Sequence, residues 1–229
     1  MKKNICRAAM IIMALFMSVY FSGCVDNSNK NPIVTIEIDP NNKNFIAENT
    51  PISGALQIEL FPEKAPNSVA YFLDFIAKGT YNGFPVGKVL HGGLVQFGDP
   101  WMSKQIRTEI DGEFKANGFE KNDIKFKRGT VALDLFKAGD YDSASGDFFI
   151  LLDDEGAETF QDKYAAIGEV ISGIELLDTI SQIKNYTDNS PVYSLKTLKT
   201  TVDLKGKTYE QPITSERRTY PGHNSEQYE

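Results

Sequence analysis

Apolar residues recur along this chain with two different periods. Val34, Ile36 and Ile38 alternate with Thr35 and Glu37, and Leu56, Ile58 and Leu60 alternate with Gln57 and Glu59. A period of two buries one face of an extended chain, so both stretches predict strands. The intervening Asp39–Gly54 is dense in Asn and Pro and reads as loop. In "APNSVAYFLDFIAKG" the period lengthens, and Val69, Phe72, Leu73 and Ile76 fall on one helical face. Asn67 is placed as its N-cap and Gly79 as its terminator.

Short apolar segments follow at Val86–Val95, Thr130–Phe136, Phe148–Leu152 and Tyr164–Val170, separated by Gly, Asp, Asn or Ser clusters. "SGIELLDTISQI" (Ser172–Ile183) predicts a second helix with Leu176, Ile180 and Ile183 on one side, and Tyr193–Leu204 a closing strand. Many strands with two helices indicate an all-β barrel or sandwich. No internal repeat is visible.

The ends of the chain have a different character. Lys2, Lys3 and Arg7 precede an uncharged, mostly apolar run, Ala8–Phe21, too short to span a bilayer comfortably. This is the pattern of a secretory signal. It closes on Phe21-Ser22-Gly23-Cys24, which resembles the lipobox of bacterial lipoproteins, where the cysteine is acylated and becomes the first mature residue. The expected organisation is a signal peptide over residues 1–23, a polar tether over 24–31, one domain over 32–213 and a polar tail over 214–229.

Composition then narrows the function. Loss of residues 1–23 removes three of the 24 basic residues and none of the 31 acidic ones, so a formal net charge of −7 becomes more negative. That balance argues against nucleic acid and against a polybasic membrane patch, and leaves the lipid on Cys24 as the expected membrane contact. Cys6 leaves with the signal and Cys24 is consumed by lipidation, so neither a disulfide nor a thiolate nucleophile is expected.

His91-Gly92-Gly93 has no G-x-S-x-G partner, and the other histidine, His223, lies in the tail, which disfavours a Ser–His–acid triad and a transition-metal site. Asp153-Asp154-Glu155 lacks the alternating oxygen ligands of a calcium loop. No phosphate-cradling glycine motif follows a strand, and no cofactor is expected.

Five stretches together carry a family resemblance: "LQIELFPEKAPNSVAYFLDFIAKGTYNG", "VLHGGLVQFGDP", "IDGEFKANGF", "RGTVALDLFKAGDYDSASGDFFILLDD" and "FQDKYAAIGEVISGIELLDTISQI". In this order and at this spacing the chain resembles the cyclophilin family of peptidyl-prolyl isomerases over about residues 32–213. The resemblance implies a closed eight-stranded antiparallel barrel with a helix over each open end, a monomer without bare sheet edges, and a peptide groove on the barrel's outer face.

It also implies site residues. Phe149 matches the aromatic floor of a proline-ring pocket. Leu94 takes a place usually held by Met, Phe160 one usually held by Leu, and Tyr164 one held by His or Tyr; Gln96 matches a glutamine that meets the peptide backbone. By pattern alone Phe149 and Phe160 read as barrel core, Tyr164 as a surface-strand aromatic and Gln96 as a strand polar group. Lys88 stands at the catalytic arginine position, Gly87 replaces the preceding histidine, and Gly93 replaces a groove phenylalanine. Asp147 stands where glutamine is usual, and Thr159 where a bulky residue is common.

The implied activity is isomerisation of X–Pro bonds in exported proteins, by an enzyme held to the cell envelope through Cys24. A lysine in place of arginine implies weakened activity. The alternative reading is a module that binds proline-containing segments without turning them over.

Overall fold

The computed structural model describes residues 30–39, 52–98, 108–192 and 195–216. Cys24 and the proposed signal, and most of the tail, lie outside them. In chain order the described elements are β1 (Ile33–Ile38), β2 (Gly54–Leu60), α1 (Pro66–Ala77), β3 (Val86–Leu90), β4 (Leu94–Phe97) and β5 (Thr108–Glu109). There follow β6 (Thr130–Leu135), β7 (Ala144–Leu151), β8 (Ala166–Ser172), α2 (Ile174–Ile180), β9 (Thr197–Asp203) and β10 (Ser215–Glu216).

Eight strands form one sheet in the order β3-β4-β7-β6-β8-β2-β1-β9, every neighbouring pair antiparallel. β10 and β5 make a separate pair, Ser215 opposite Glu109 and Glu216 opposite Thr108. The sheet curls until its outer strands meet. Gly83 N donates to Thr197 O (3.1 Å), Thr197 N to Phe84 O (2.9 Å) and Val86 N to Leu195 O (2.8 Å). Pro85 and Lys196 form an isolated bridge at the middle of this seam. Closure is thus a short seam rather than a continuous ladder between β3 and β9. Beyond it, Asn185 Nδ2 donates to Val89 O (2.7 Å) and Val89 N to Asn189 O (2.9 Å), so the segment around 185–189 covers the remaining edge of β3.

The alternation read from the sequence is the one that packs. Val34, Ile36 and Ile38 face inward from β1, and Ile58 and Leu56 stand opposite the first two on β2. Phe72 from α1 meets Phe148 from β7 edge-on at 5.1 Å between centroids, and Phe148 stacks on Phe97 at 4.8 Å. Tyr81 is buried among these rings and donates its hydroxyl to Gly146 O (2.8 Å). Leu177 and Ile180 of α2 join the same core.

Both helices differ from expectation at their ends. The N-cap position of α1 is Ala65, with Pro66 opening the helix. Asn67 sits inside the first turn. The capping acceptor is Glu113, distant in sequence, whose Oε1 and Oε2 accept from the backbone N–H groups of Asn67 (3.0 Å) and Ser68 (2.6 Å). Asn67 instead brackets the backbone of Ile213, donating to its carbonyl (2.9 Å) and accepting from its N–H (2.8 Å). α2 begins at Ile174 because β8 runs on through Ser172 and Gly173 makes the turn at φ +84°. A Cβ at Gly173 would stand 2.2 Å from Ala55 O, so the close approach of β2 also requires glycine there.

Candidate active site

β7 has both faces buried, and its two faces go to different cores. Phe148 and Ile150 enter the main core, whereas Phe149 and Leu151 point outward into a smaller apolar cluster with Leu94, Ala132 and Ala157. Phe126, Phe160 and Tyr164 are half-buried at the rim of that cluster. Phe149 is 3% exposed although it lies on the outer face of the sheet. Its ring centroid is 5.2 Å from both Phe160 and Tyr164, with Tyr164 edge-on and Phe160 tilted. The result is an aromatic floor edged by apolar residues on the outer face of the sheet.

The rim is held by loops that the sheet itself positions. Phe160 follows the short 3-10 turn Ala157–Thr159, which places exposed Thr159 outside the floor. Gln161 links this turn to the segment carrying Phe126, accepting from Phe126 N (3.1 Å) and donating to Ile124 O (3.2 Å). Ala165 O accepts from Leu133 N (3.1 Å), which seats Tyr164 beside β6.

Polar groups adjoin the floor in register. Lys88 on β3 pairs with Gln96 on β4, Gln96 pairs with Phe149 on β7, and Phe149 pairs with Ala132 on β6. The register of β3 against β4 shifts between Val86 and Lys88, at Gly87. Such an irregularity re-aims the side chain after it, and here Lys88 emerges exposed beside Gln96 while Val86 and Val89 stay in the core. At the other side of Gln96, Gly93 lies in the turn between β3 and β4, and a Cβ there would meet the Leu90 Cβ at 3.4 Å, an ordinary contact. A larger residue fits; with glycine this wall stays low.

Lys88, Gln96, Phe149, Leu94, Phe160 and Tyr164 therefore occupy one continuous patch of the outer face. Asp147 lies two residues before Phe149 on β7, close against Gly98, where a Cβ would approach its carboxylate to 2.2 Å. The described residues show no group of three or more His, Cys, Asp or Glu able to hold a metal. His91 Nδ1 contacts Ser181 O, a backbone contact away from the patch.

One polar residue of the patch was not singled out by the sequence. Asp134 on β6 accepts from Gln96 Nε2 at 2.8 Å. Burial pushes its carboxyl up to about 6, opposed by the Leu135 N–H and by the Lys88 ammonium. Burial likewise raises the Tyr164 hydroxyl, with Asp134 adding to the shift. The available signal was strand alternation: in "TVALDL" Asp134 falls on the same face as Ala132, opposite to Val131 and Leu133. The same rule places Leu151 beside Phe149.

Comparison with known proteins identifies the family. The family model for cyclophilin type peptidyl-prolyl cis-trans isomerase/CLD matches residues 45–202. Peptidyl-prolyl cis-trans isomerase A of Dickeya dadantii is 32% identical over 149 residues, covering 63% of this chain and 74% of that protein. Peptidyl-prolyl cis-trans isomerase B of Escherichia coli is 32% identical over 138 residues, covering 57% of this chain and 80% of that protein. A crystal structure of a Cryptosporidium parvum cyclophilin type isomerase, determined in the presence of the dipeptide Ala-Pro, superposes with a TM-score of 0.59 at 20% identity. It covers 75% of this chain and 98% of the other. The chain belongs to the cyclophilin-type peptidyl-prolyl cis-trans isomerase family.

Proposed function

We propose that this protein is an exported, lipid-anchored isomerase that turns X–Pro bonds in other exported proteins, with Phe149 flooring the proline pocket and Lys88 and Gln96 meeting the twisting amide. The observation that carries the assignment of roles is the register row Lys88–Gln96–Phe149, which sets one cation and one amide along the edge of an aromatic floor. The dipeptide in the Cryptosporidium crystal is of the substrate class this floor suits. The lipid anchor rests on the sequence alone, on the basic start, the apolar run and Phe21-Ser22-Gly23-Cys24. No helix of the described residues is long and apolar enough to cross a membrane.

The chemistry asks little of the protein beyond placement. Rotation about X–Pro passes over a barrier of about 18–20 kcal/mol as amide resonance is lost, and uncatalysed exchange takes roughly tens to hundreds of seconds. The pocket grips the ring while the carbonyl side turns. At the twisted geometry the nitrogen lone pair is released and the carbonyl oxygen changes direction. A fixed cation and a hydrogen-bonding amide bind that state better than either planar one, which lowers the barrier without covalent chemistry. Lysine supplies one compact charge on a flexible stem where arginine would supply a planar fork, so weaker preorganisation and slower turnover are expected.

Phe149→Ala tests the pocket. Truncating a buried phenylalanine costs about 3–5 kcal/mol of stability, so the comparison is made on protein shown to be folded. The variant should lose affinity for a proline peptide far more than for a proline-free control; equal losses would make Phe149 core only. Cys24→Ser tests the anchor. Wild type should partition into detergent and the variant should be released or remain unprocessed; wild type wholly in the aqueous phase would contradict lipidation.

A further inference from the structure

The outer face holds a carboxylate to which the isomerase reading gives no role. Asp134 lies on β6 between Leu133 and Leu135, both of which enter the main core, so its side chain shares the face of the aromatic floor. Its two oxygens have different duties. Oδ1 accepts from its neighbour's backbone, Leu135 N, at 2.9 Å, which pins the carboxylate to its own strand. Oδ2 accepts from Gln96 Nε2 at 2.8 Å. Gln96 stands on β4 and β7 runs between the two, so this bond spans a strand and passes beside Phe149.

An ionised carboxylate only accepts, whereas an amide has one donating and one accepting end. The bond from Gln96 to Asp134 therefore decides which end of Gln96 is left for a peptide. With the NH2 group turned to Asp134, the carbonyl oxygen Oε1 faces away from it. A neutral carboxyl imposes no such choice, since its O–H can donate to Oε1 and turn the amide around. The Lys88 ammonium on the same face favours the ionised form of Asp134, less than burial opposes it.

We propose that Asp134 is a positioning residue for the isomerisation: when ionised it fixes the orientation of Gln96, and when protonated it releases it. This rests on the reading of Gln96 and Lys88 as the groups that meet the twisting amide. A group free to present either end to the substrate is not preorganised, and the loss falls on the transition state more than on ground-state binding.

The groups around Asp134 come from four elements. Lys88 on β3 favours the ionised form, and Gln96 on β4 donates to it. Tyr164, ahead of β8, interacts with it and is a neutral phenol in this range. Asp147 on β7 is the neighbouring carboxylate of that face, while Ser145 Oγ, also on β7, donates to the Asp134 backbone carbonyl at 3.4 Å. Burial outweighs the cation, which brings the proton loss to about pH 6. The positioned state should therefore fill as pH rises through that value.

The test uses the full chain in detergent micelles. Exchange NMR on one proline peptide reports rate and affinity from pH 5 to pH 8, and the side-chain NH2 signals of Gln96 are followed in the same samples. Wild type should turn over about tenfold faster at pH 8 than at pH 5, within the ~100-fold that a 1 Å misplacement can cost. Peptide affinity should stay within a few-fold while the Gln96 signals shift over the same range. Asp134→Asn, of the same shape but without the charge, should be flat in pH in both rate and signal. A measurable but flat wild-type profile would overturn the proposal, as would a step that persists in Asp134→Asn. Wild type with no turnover at any pH would instead remove the isomerase reading, and this proposal with it.

Discussion

Asp134 shows what a single side chain contributes and what it costs. Its carboxyl is raised from the ordinary carboxylate range to about 6, chiefly by burial, so the folded state binds its proton more tightly than the unfolded state does. Between roughly pH 4 and pH 6 the folded protein therefore carries the extra proton, and stability from this group falls as pH rises through that window. Asp134→Asn should be more stable than wild type at pH 7, by about 1–2 kcal/mol after allowance for partial solvent screening, with the gap narrowing as pH falls toward 4. Denaturant unfolding at several pH values measures it, and an equal gap at pH 4 and pH 7 would contradict it. A group held at such a cost fits a site rather than a scaffold. The adjacent Phe148 and Phe149 show why the site was only partly legible. The pattern marks β7 as a buried strand, but two neighbouring phenylalanines leave open which one faces the core. Pairing of Leu133 with Phe148 and of Gln96 with Phe149 decides it, and a one-residue slip would exchange them. The family resemblance picked Phe149; the alternation of polar and apolar residues alone favoured core for it. Asp134 was passed over because it sits in an otherwise apolar run.

At the scale of elements, hydrophobic period located the strands and helices, and tertiary partners set their ends. The α1 N-terminus is the plainest instance. A local cap was expected at Asn67, yet the first turn is satisfied by Glu113, 46 residues from Asn67 in sequence. No local rule exposes an acceptor that distant. Glu113→Ala should lower stability by about 1–3 kcal/mol, because two backbone donors lose a charged acceptor. It should leave proline-peptide turnover within a few-fold, since Glu113 lies away from the aromatic floor. Thermal unfolding and the isomerisation assay read the two effects separately, and a loss of turnover in folded protein would contradict the separation. β8 gives a second case. A Cβ at Gly168 would stand 2.3 Å from Glu59 O on β2, so Gly168→Ala forces the two strands apart. A loss of roughly 1–3 kcal/mol is expected, the range for overpacking a closely packed site. Unchanged unfolding would mean that β2 yields freely.

At the scale of the molecule, the curled sheet separates two tasks. Its inner face buries the aromatic and aliphatic core under α1 and α2, and its outer face is left to carry a row of polar groups against a second, smaller apolar cluster. A stable inner core lets the outer face hold a half-buried glutamine–aspartate pair beside an exposed lysine without endangering the fold. A largely β fold with two helices was legible from period and spacing, while the count of eight and the antiparallel order came with the family resemblance. The short seam at Pro85–Lys196 was not, because it depends on where β3 and β9 come to lie after the sheet has curled. The central claim is that this outer row acts on the twisting amide, and Lys88 tests it most directly. Exchange NMR on a proline peptide measures rate and affinity in one sample for wild type, Lys88→Ala and Lys88→Arg. Loss of the cation should cut the rate by roughly ten- to a thousand-fold, the range for losing a transition-state electrostatic contact, with affinity within a few-fold. Lys88→Arg should raise the rate, because a planar fork gives two-point contact. A wild-type rate left unchanged by Lys88→Ala would contradict the account even though the fold and family stand.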